Sequence, residues 1–478
     1  MDDPILFWND ITNRANKFDH TAPMKGSAQG GPTRSSRATA MVHLAIHDAF
    51  FGVAGGQTLY LGAAAPAAYI GPTGKKFQSA AVSIAAQTML AALYPEQALE
   101  FDTAAKRIAA ENQTDQAAGE YGRRVALALL GLRASDRADA PPHVQKTPYV
   151  YSTGKPHHRA DPLNPQPDPL GAFWGQVSPF GIQTQHPLAP YPAFNSAKYN
   201  ADHDEVLAKG GAASQKATTR TVDESVIGLY WAYDGARNLG TPPRLYNDIV
   251  RRIADKKNNT WEQNARLFAL VNIAMGDAGI YAWHWKFVYD LWRPVIGIRE
   301  YDANFGWDAT PGKAVNPRCD PFWRPLGAPK TNDASPGARS FTPPFPAYPS
   351  GHATFGAAAL EMVRLFYGVT DPDKVDTIAF DFVSEELDGV STDNDGAIRT
   401  RHERKFDSLA EAMYENSISR IFLGVHWRFD GTSAHTVKDM LKKSGSQSDD
   451  IGGVPLGRAI ARDIFNSGLT QSPAGLTP

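Results

Sequence analysis

The sequence predicts an all-α protein whose helices form two bundles joined by a long irregular connection. Three observations support this fold class. Segments with apolar residues at intervals of three and four dominate the first 132 residues. A stretch rich in proline and aromatic residues runs from about 141 to 195, and helical periodicity resumes at about 221.

Four segments of the N-terminal part carry the helical pattern. Their apolar residues recur at the spacing that places side chains on one face of an α-helix, so we expect them to pack as a first bundle. The connection that follows is too irregular for long elements and long enough to wrap the surface. The helical segments span residues 35–51, 75–93, 96–113 and 115–132.

A second group of helical segments predicts a second bundle. We expect residues 1–195 to form the N-terminal bundle with its proline-rich connection, and residues 196–478 to form a C-terminal bundle that carries the functional site. The segments of this second bundle are 226–236, 246–256, 265–292, the apolar stretch after the turn at 349–352, and 408–424.

Composition and charge exclude several classes of partner. The 48 lysines and arginines nearly balance the 50 aspartates and glutamates, so no nucleic-acid partner is indicated. The single cysteine, Cys319, excludes an internal disulfide and a cysteine-based metal cluster. Apolar spans of roughly 20 residues are missing, which predicts no membrane span. Nucleotide-binding glycine patterns are missing as well.

One histidine pair has a spacing that zinc enzymes use. His43 and His47 lie one helical turn apart, but no glutamate stands between them and the residues that follow are apolar. Core packing or hydrogen bonding between helices is the favoured interpretation.

Three short segments far apart in the chain carry side chains that suit a single tetrahedral oxyanion. Two guanidinium groups and one ammonium group supply positive charge, while a hydroxyl and a glycine amide add neutral donors. Two histidines remain for chemistry. These residues are Lys286, Arg293, Ser350, Gly351, His352, Arg420 and His426.

The spacing of the first two segments predicts how they would meet the anion. Lys286 and Arg293 are seven positions apart, about two helical turns, so we expect both on one face of a helix. The segment 349–366 is typical of a tight turn followed by an apolar helix. Ser350 and His352 would then lie at a helix N-terminus, where free amides favour negative charge.

The third segment needs a bend. Arg420 and His426 are six positions apart, about 120° out of phase on an unbroken helix, so both reach one ligand only if the backbone turns between them. Gly424 is placed to allow that turn.

The order of these motifs resembles the signature of a known superfamily. K-x6-RP at 286–294, PSGH at 349–352 and SR-x3-G-x-H at 419–426 are similar to the motifs that join vanadium-dependent haloperoxidases to membrane-associated and bacterial acid phosphatases. Longer segments look like the vanadium chloroperoxidases in particular. These segments are 5–10, 41–51, 229–254, 343–356, 415–430 and 451–469.

The resemblance implies a fold and a role for each matched residue. The fold would be two four-helix bundles, with vanadate at the end of the second. His426 would be the only protein ligand of the vanadium, and His352 the acid-base residue. The oxyanion contacts would come from Lys286, Arg293, Ser350, Gly351 and Arg420, with Lys286 also polarising the bound peroxide.

Two carboxylates have supporting roles by the same resemblance. Asp234 would hold Arg420 in place, although its Asp-Gly dipeptide is equally a turn signal. Asp430, four residues after His426, would orient the imidazole or serve as an exposed or capping carboxylate.

The implied activity is the oxidation of halide by hydrogen peroxide to hypohalous acid, with vanadate as cofactor and without haem, flavin or nicotinamide. Phe345 and Trp283 match aromatic residues beside the site in chloroperoxidases, where bromoperoxidases carry polar or charged groups. Aromatic walls exclude water and favour chloride oxidation, with bromide and iodide also accepted. Ordinary core packing is the alternative explanation of these two rings. Small organic acceptors are possible partners.

Two alternative functions follow from the same residues. Phosphate shares the charge and shape of vanadate, so the pocket would also suit an acid phosphatase in which His426 attacks phosphorus and His352 protonates the leaving group. A non-catalytic oxyanion-binding protein is the second alternative, but it would not need His352.

Location is predicted only in outline. The acidic N-terminus lacks the basic segment and apolar stretch of a secretory signal. Related chloroperoxidases are found outside the cell, and we therefore expect a soluble protein that is exported or released.

Overall fold

The computed structural model describes residues 2–21, 27–112, 115–139, 149–165, 168–213, 218–335 and 337–478. Within these ranges the secondary structure comprises fifteen α-helices and one two-stranded antiparallel sheet, which confirms the all-α class. None of the helices in these ranges has both the length and the apolar character needed to cross a bilayer.

The N-terminal helices follow the predicted periodic segments, with one addition. An unpredicted first helix begins after Asp3, whose Oδ1 accepts hydrogen bonds from the amides of Ile5 and Leu6 at 2.8 and 3.2 Å. The helices are α1 Pro4–Asp19, α2 Gly31–Ala54, α3 Lys75–Leu93, α4 Ala98–Asn112 and α5 Gln116–Arg133. Short 3-10 turns lie at Gly62–Ala64, Pro95–Gln97 and Trp174–Gln176.

The C-terminal part contains the longest helix and most of the short ones. Its helices are α6 Ala197–Lys209, α7 Val222–Tyr230, α8 Pro242–Lys256, α9 Trp261–Tyr289, α10 Pro294–Gly297, α11 Gly351–Phe366, α12 Leu409–Phe422, α13 Arg428–Gly431, α14 Val437–Lys443 and α15 Gly453–Ser467. A 3-10 turn lies at Glu385–Leu387.

A short β-hairpin was not predicted. Its strands β1 Phe380–Val383 and β2 Glu403–Phe406 pair with Phe380 opposite Phe406, and these two rings stack at 5.0 Å. Four residues per strand are too few for a period-two pattern to be visible in the sequence.

The end of α9 corrects one prediction. A capping box at Thr260 starts this helix, and Asp290, with φ of 49°, ends it after Tyr289. Arg293 therefore lies outside α9, and the prediction that Lys286 and Arg293 share one face of a helix is wrong. Asp290 accepts hydrogen bonds from Tyr149 Oη at 2.6 Å and from His157 Nδ1 at 3.0 Å.

The other two predictions of local geometry are confirmed. Ser350 is the N-cap of α11, so Gly351 and His352 form the first turn of an apolar helix. Helix α12 ends at Phe422, and Gly424 has φ of 69°, a left-handed conformation that bends the chain between Arg420 and His426.

The main hydrophobic core runs through both halves of the chain. Helix α2 packs against α3 and α9, while α11 packs against α15 and α9, so α9 connects the N-terminal helices to the helix that begins at Ser350. At Gly279 of α9 the approach is close, because a Cβ there would lie 2.9 Å from Phe355 Cε1 and 3.1 Å from Ser36 Oγ. The domain division at residue 195 stays a prediction.

Candidate functional site

The three predicted segments converge on one small cavity of about 80 Å³. Its walls come mainly from the C-terminal half, with Gly31, Pro32 and Leu170 contributed by the first 195 residues. The other lining residues are Asp234, Pro242, Trp283, Phe341, Pro343, Pro344, Phe345, Gly351, His352, Phe355, Arg420 and His426. Lys286 and Arg293 are buried and contact this set through ring faces and a hydrogen bond. Ser350 is also buried and directly precedes Gly351 in the chain.

Within the described ranges, the guanidinium of Arg293 is hydrogen-bonded through Nε and Nη1 but not through Nη2. Its Nε donates to the Phe345 carbonyl oxygen at 2.8 Å, and its Nη1 donates to the Val425 carbonyl at 2.8 Å and to His426 Nε2 at 2.8 Å. Nη2 has no hydrogen-bond partner among the described residues, although the side chain is buried. A buried guanidinium N–H without an acceptor is costly, so this nitrogen is suited to a bound anion.

The guanidinium of Arg420 is also only partly hydrogen-bonded. Its Nη2 donates to Asp234 at 2.8 Å to Oδ1 and 3.1 Å to Oδ2, while Nε and Nη1 lack partners in the described part of the chain. Asp234 thus anchors one edge of the guanidinium and leaves the other edge for a ligand. Burial raises the pKa of Asp234, and the charge of Arg420 opposes that increase.

Lys286 is enclosed by backbone carbonyls. Its Nζ donates to the carbonyl oxygens of Pro346, Ala347 and Pro349 at 2.9, 3.1 and 2.5 Å. Burial and the charge of Arg293 lower the pKa of Lys286 well below its usual value. Three acceptors nevertheless require the three N–H groups of the ammonium form. Lys286 therefore contributes charge, and a direct bond to an oxyanion would replace one of these carbonyls.

The start of α11 adds neutral donors. Ser350 Oγ accepts a long bond from the amide of Ala353 at 3.4 Å, and Ser350 N donates to the Asp430 carbonyl oxygen at 2.7 Å. The amide of Gly351 lies in the first turn, where N–H groups have no partner within the helix. This helix end favours negative charge in the cavity.

The hydrogen bonds of His426 define its tautomer. Its Nδ1 lies 2.7 Å from Asp430 Oδ2, and Nε2 lies 2.8 Å from Arg293 Nη1. Because a guanidinium can only donate, Nε2 carries the lone pair and Nδ1 carries the hydrogen. Burial and the charge of Arg293 lower the pKa of His426 well below its usual value, so the ring is neutral. A metal that bound Nε2 would replace the contact with Arg293.

Asp430 orients the imidazole of His426 through its contact with Nδ1. Besides the His426 contact, its Oδ2 accepts the amide of Trp427 at 3.0 Å, and Oδ1 is buried without a partner in the described ranges. Burial raises the pKa of Asp430, while the Trp427 amide and the nearby cations lower it. The structure places this carboxylate inside the protein, so the exposed alternative for Asp430 is excluded.

In His352 the hydrogen is on the other ring nitrogen, Nε2, than in His426. Its Nε2 lies 2.6 Å from the Ala232 carbonyl oxygen, which can only accept, so Nε2 carries the hydrogen and Nδ1 carries the lone pair. Burial and the charge of Arg420 lower the pKa of His352 well below its usual value. A neutral imidazole with a free Nδ1 lone pair is able to take up a proton.

Two aromatic rings form one wall. The centroids of Trp283 and Phe345 lie 4.8 Å apart, and both rings are buried. Lys286 Nζ lies 5.0 Å and Arg293 Cζ 4.8 Å from the centroid of Phe345, which places both cations against its face. The backbone of the proline-rich connection supports this wall, since Trp283 Nε1 donates to the Leu170 carbonyl oxygen at 2.9 Å.

Several lining residues were not among the predicted site residues. Phe341, Pro343 and Pro344 precede the predicted turn at 349–352 and could have been suggested by that proximity. Leu170 and Gly31 come from distant segments without a motif, and only the tertiary fold brings them to the cavity.

The charges and free donors together fit a tetrahedral oxyanion. Lys286, Arg293 and Arg420 face the carboxylates of Asp234 and Asp430, which leaves an excess of positive charge while both histidines are neutral. The unpartnered nitrogens of the two arginines and the lone pair of His426 Nε2 are the features that vanadate would require.

A larger cleft of about 850 Å³ lies elsewhere, between α1, α4, α8 and the hairpin. Its charged groups largely pair with one another, as in Arg251 with Asp10 at 3.3 Å and Arg14 with Glu100 at 3.3 Å. No histidine is among the described residues that line it.

Comparison with known proteins identifies the family. A family model described as the VCPO second helical-bundle domain matches residues 266–441, and one described as the vanadium chloroperoxidase N-terminal domain matches residues 2–165. The vanadium chloroperoxidase of Curvularia inaequalis is 36% identical over 573 aligned residues, which cover 99% of this chain and 91% of that protein.

Solved structures share the fold. A bacterial vanadium-dependent iodoperoxidase has a TM-score of 0.67 at 18% identity, covering 98% of this chain and 96% of its own. The holo form of a bacterial vanadium-dependent chloroperoxidase has a TM-score of 0.59 at 14% identity, covering 95% and 96%. Together with the curated relative, these findings show that the chain belongs to the vanadium chloroperoxidase family of vanadium-dependent haloperoxidases.

Proposed function

We propose that this protein binds vanadate in the cavity and oxidises chloride, and also bromide and iodide, with hydrogen peroxide. The observation that carries the proposal is the set of buried, unpartnered arginine nitrogens beside the lone pair of His426 Nε2. Halide, peroxide and one proton give hypohalous acid and water, so two electrons pass from halide to peroxide oxygen.

The chain's residues would hold the cofactor by charge and by one ligand. His426 Nε2 would bind the metal, while Arg293 Nη2 and Arg420 Nε and Nη1 would donate to the oxyanion oxygens. Ser350 and the Gly351 amide would add neutral hydrogen bonds. When bound, vanadate supplies a Lewis acid that withdraws electron density from peroxide without changing its own redox state.

His352 would act as the base. Its Nδ1 lone pair is available because Nε2–H is committed to the Ala232 carbonyl, and the lowered pKa of the ring keeps it neutral at neutral pH. It would take a proton from incoming hydrogen peroxide and return it to an oxygen that leaves as water. Lys286 would add fixed positive charge close to the reacting oxygens.

The aromatic wall supports chloride as a substrate. Chloride is harder to oxidise than bromide, so peroxide oxygen must be strongly polarised, and positive charge acts most strongly where water is excluded. Trp283 and Phe345 exclude water on the side of Lys286 and Arg293. Small organic acceptors would react with the hypohalous acid produced.

Phosphate-ester hydrolysis is the second candidate, because His426 Nε2 has the lone pair and the Asp430 support that a phosphohistidine intermediate needs. A cavity of about 80 Å³ admits a phosphoryl group but little of a large alcohol. Ester cleavage would therefore be restricted to small or projecting phosphates.

One experiment separates the two functions. Protein stripped of metal and titrated with vanadate should gain peroxide-dependent chlorination of monochlorodimedone. The metal-free protein should hydrolyse p-nitrophenyl phosphate more slowly than the reconstituted protein oxidises halide. Chlorination indifferent to vanadate would contradict the proposal, and faster ester cleavage that vanadate inhibits would favour the phosphatase.

A further inference from the structure

A second, open basin of about 410 Å³ lies next to the cavity. Phe341 lines both spaces, and Gly235, which lines the basin, directly follows Asp234, which lines the cavity. The basin is therefore the outer side of the same wall, and Phe341 separates the two spaces.

Two cations in this basin form no direct ion pair with a described residue. Arg237 is exposed and Lys330 is half-buried, and neither side chain forms an ion pair or a hydrogen bond with any described residue. Asp333 is the one carboxylate among the described lining residues, so the basin carries an excess of one positive charge. Hydrogen bonds from Ser335 and then the charges of Lys330 and Arg237 lower the pKa of Asp333.

The backbone around these cations is held rigidly. The carboxylate of Glu386 is fully buried, where it accepts the amide of Tyr233 at 3.1 Å and the Thr331 hydroxyl at 2.5 Å. Asn332 Nδ2 donates to the Arg237 carbonyl oxygen at 2.9 Å. The segments that carry Arg237 and Lys330 are thereby tied to each other and to a buried acid.

We propose that this basin is an outer anion-binding site, in which Arg237 and Lys330 collect small inorganic anions before they pass Phe341 into the cavity. The proposal rests on the proposed function, since halide and vanadate are the anions that must reach the cavity. Unpaired cations at the mouth of a low-dielectric cleft raise the local concentration of anions and their rate of entry.

Substitutions can make the net charge of the basin either more negative or more positive. The double variant Arg237→Gln with Lys330→Gln removes two positive charges, and Asp333→Asn removes the opposing negative charge while its Oδ1 still accepts from Ser335. A matched control is Lys106→Gln with Lys438→Gln, which changes the net charge equally. These two lysines, on α4 and α14, are exposed and form no ion pair with a described residue.

The first measurement is the association rate of vanadate with metal-free protein, followed by stopped-flow tryptophan fluorescence. At about 20 mM ionic strength we expect the double variant to bind roughly 3–10-fold more slowly than wild type, and Asp333→Asn about twofold faster. Both differences should shrink at about 0.5 M ionic strength, and the control should match wild type. Equal rates for all four proteins at low salt would overturn the proposal.

The second measurement compares a charged and a neutral substrate on the vanadate-loaded enzyme. The double variant should lower kcat/KM for bromide by a similar factor, while kcat/KM for hydrogen peroxide stays within about twofold. Equal losses for both substrates would overturn the role in anion collection. An enzyme that binds vanadate with the expected charge dependence but oxidises no halide would overturn the proposed function and leave the anion site supported.

Discussion

His426 and His352 are both neutral and buried, yet their hydrogen bonds direct their lone pairs to different nitrogens. His426 donates from Nδ1 to Asp430 and exposes Nε2 to Arg293, whereas His352 donates from Nε2 to the Ala232 carbonyl. The first arrangement suits a metal ligand and the second suits a base that is not bound to metal.

Replacing each histidine by alanine should separate these roles. His426→Ala should lose tight vanadate retention, because the substitution removes the proposed protein ligand of the metal. His352→Ala should retain vanadate on gel filtration but lose chloride oxidation by roughly 10²–10⁴-fold, the range of general acid-base catalysis. Vanadium content by elemental analysis and chlorination rates give the two readouts.

His402, which is exposed, provides the control substitution. His402→Ala should match wild type in both assays. Parallel loss of vanadate and activity in both site variants would contradict the division of labour between the histidines.

The ring of Phe345 should influence halide preference. Phe345→His places a polar group against Lys286 and Arg293 and admits water, so chloride oxidation should fall at least several-fold relative to bromide oxidation. The ratio of kcat/KM for the two halides is the measurement. The same change at the exposed Phe322 should leave the ratio unaltered, and an unaltered ratio in Phe345→His would show that this wall does not set preference.

Residue types and the order of the motifs predicted that these side chains converge, but not which contacts each one makes. Arg420 Nη2 donates to both carboxylate oxygens of Asp234, the pair that the resemblance suggested. The three carbonyl partners of Lys286 could not be predicted, because they depend on the fold of 346–349 against α9.

At the scale of elements, periodicity located most of the longer helices but missed α1, α6, α14 and α15. It placed the helix ends poorly. The predicted segment 75–93 coincides with α3, whereas the segment 265–292 extends beyond the end of α9 at Tyr289. Asp290 ends that helix in a left-handed conformation supported by Tyr149 and His157, two residues more than 130 positions away. A contact so distant in sequence leaves no local signal.

The crossing of α9 with α2 and α11 depends on Gly279. Gly279→Ala should lower the free energy of unfolding by about 1–3 kcal/mol, because the new methyl group would lie too close to Phe355 and Ser36. Urea-induced unfolding of the metal-free protein measures this change.

Gly131 of α5 is the matched control, since a Cβ there would meet no atom within 4 Å. Gly131→Ala should be neutral or stabilising by up to about 1 kcal/mol through helix propensity. Equal effects of the two substitutions would contradict the close approach at Gly279.

At the scale of the whole molecule, the two halves share one hydrophobic core and jointly enclose the cavity. Gly31 and Leu170 reach the cavity because α2 packs against α9 and the proline-rich connection packs against Trp283. Sequence patterns placed the site in the C-terminal half, but this participation of N-terminal residues required the tertiary structure.

His43 is a second contact between the halves. It is fully buried on α2, with Nε2 3.1 Å from Asn9 Nδ2 of α1 and its ring stacked at 5.3 Å on Phe268 of α9. This agrees with the interpretation of His43 as a core residue. Burial lowers the pKa of His43 to about 3.

The lowered pKa of His43 predicts a pH dependence of stability. Because the folded pKa is below the unfolded value, the contribution of neutral His43 is complete above pH 6.5 and is lost progressively as pH falls toward 3. From pH 7 to pH 5, wild type should lose about 2 kcal/mol more unfolding free energy than His43→Gln. Urea unfolding at both pH values measures this difference, and a pH-independent difference would contradict it.

The central claim is that the cavity binds vanadate through His426. A crystal structure of vanadate-soaked protein tests this claim most directly. We expect vanadium at bonding distance from His426 Nε2, with its oxygens hydrogen-bonded to Arg293 Nη2 and to the free edge of Arg420. Vanadate found outside this cavity, or held in it without contact to His426, would contradict the account.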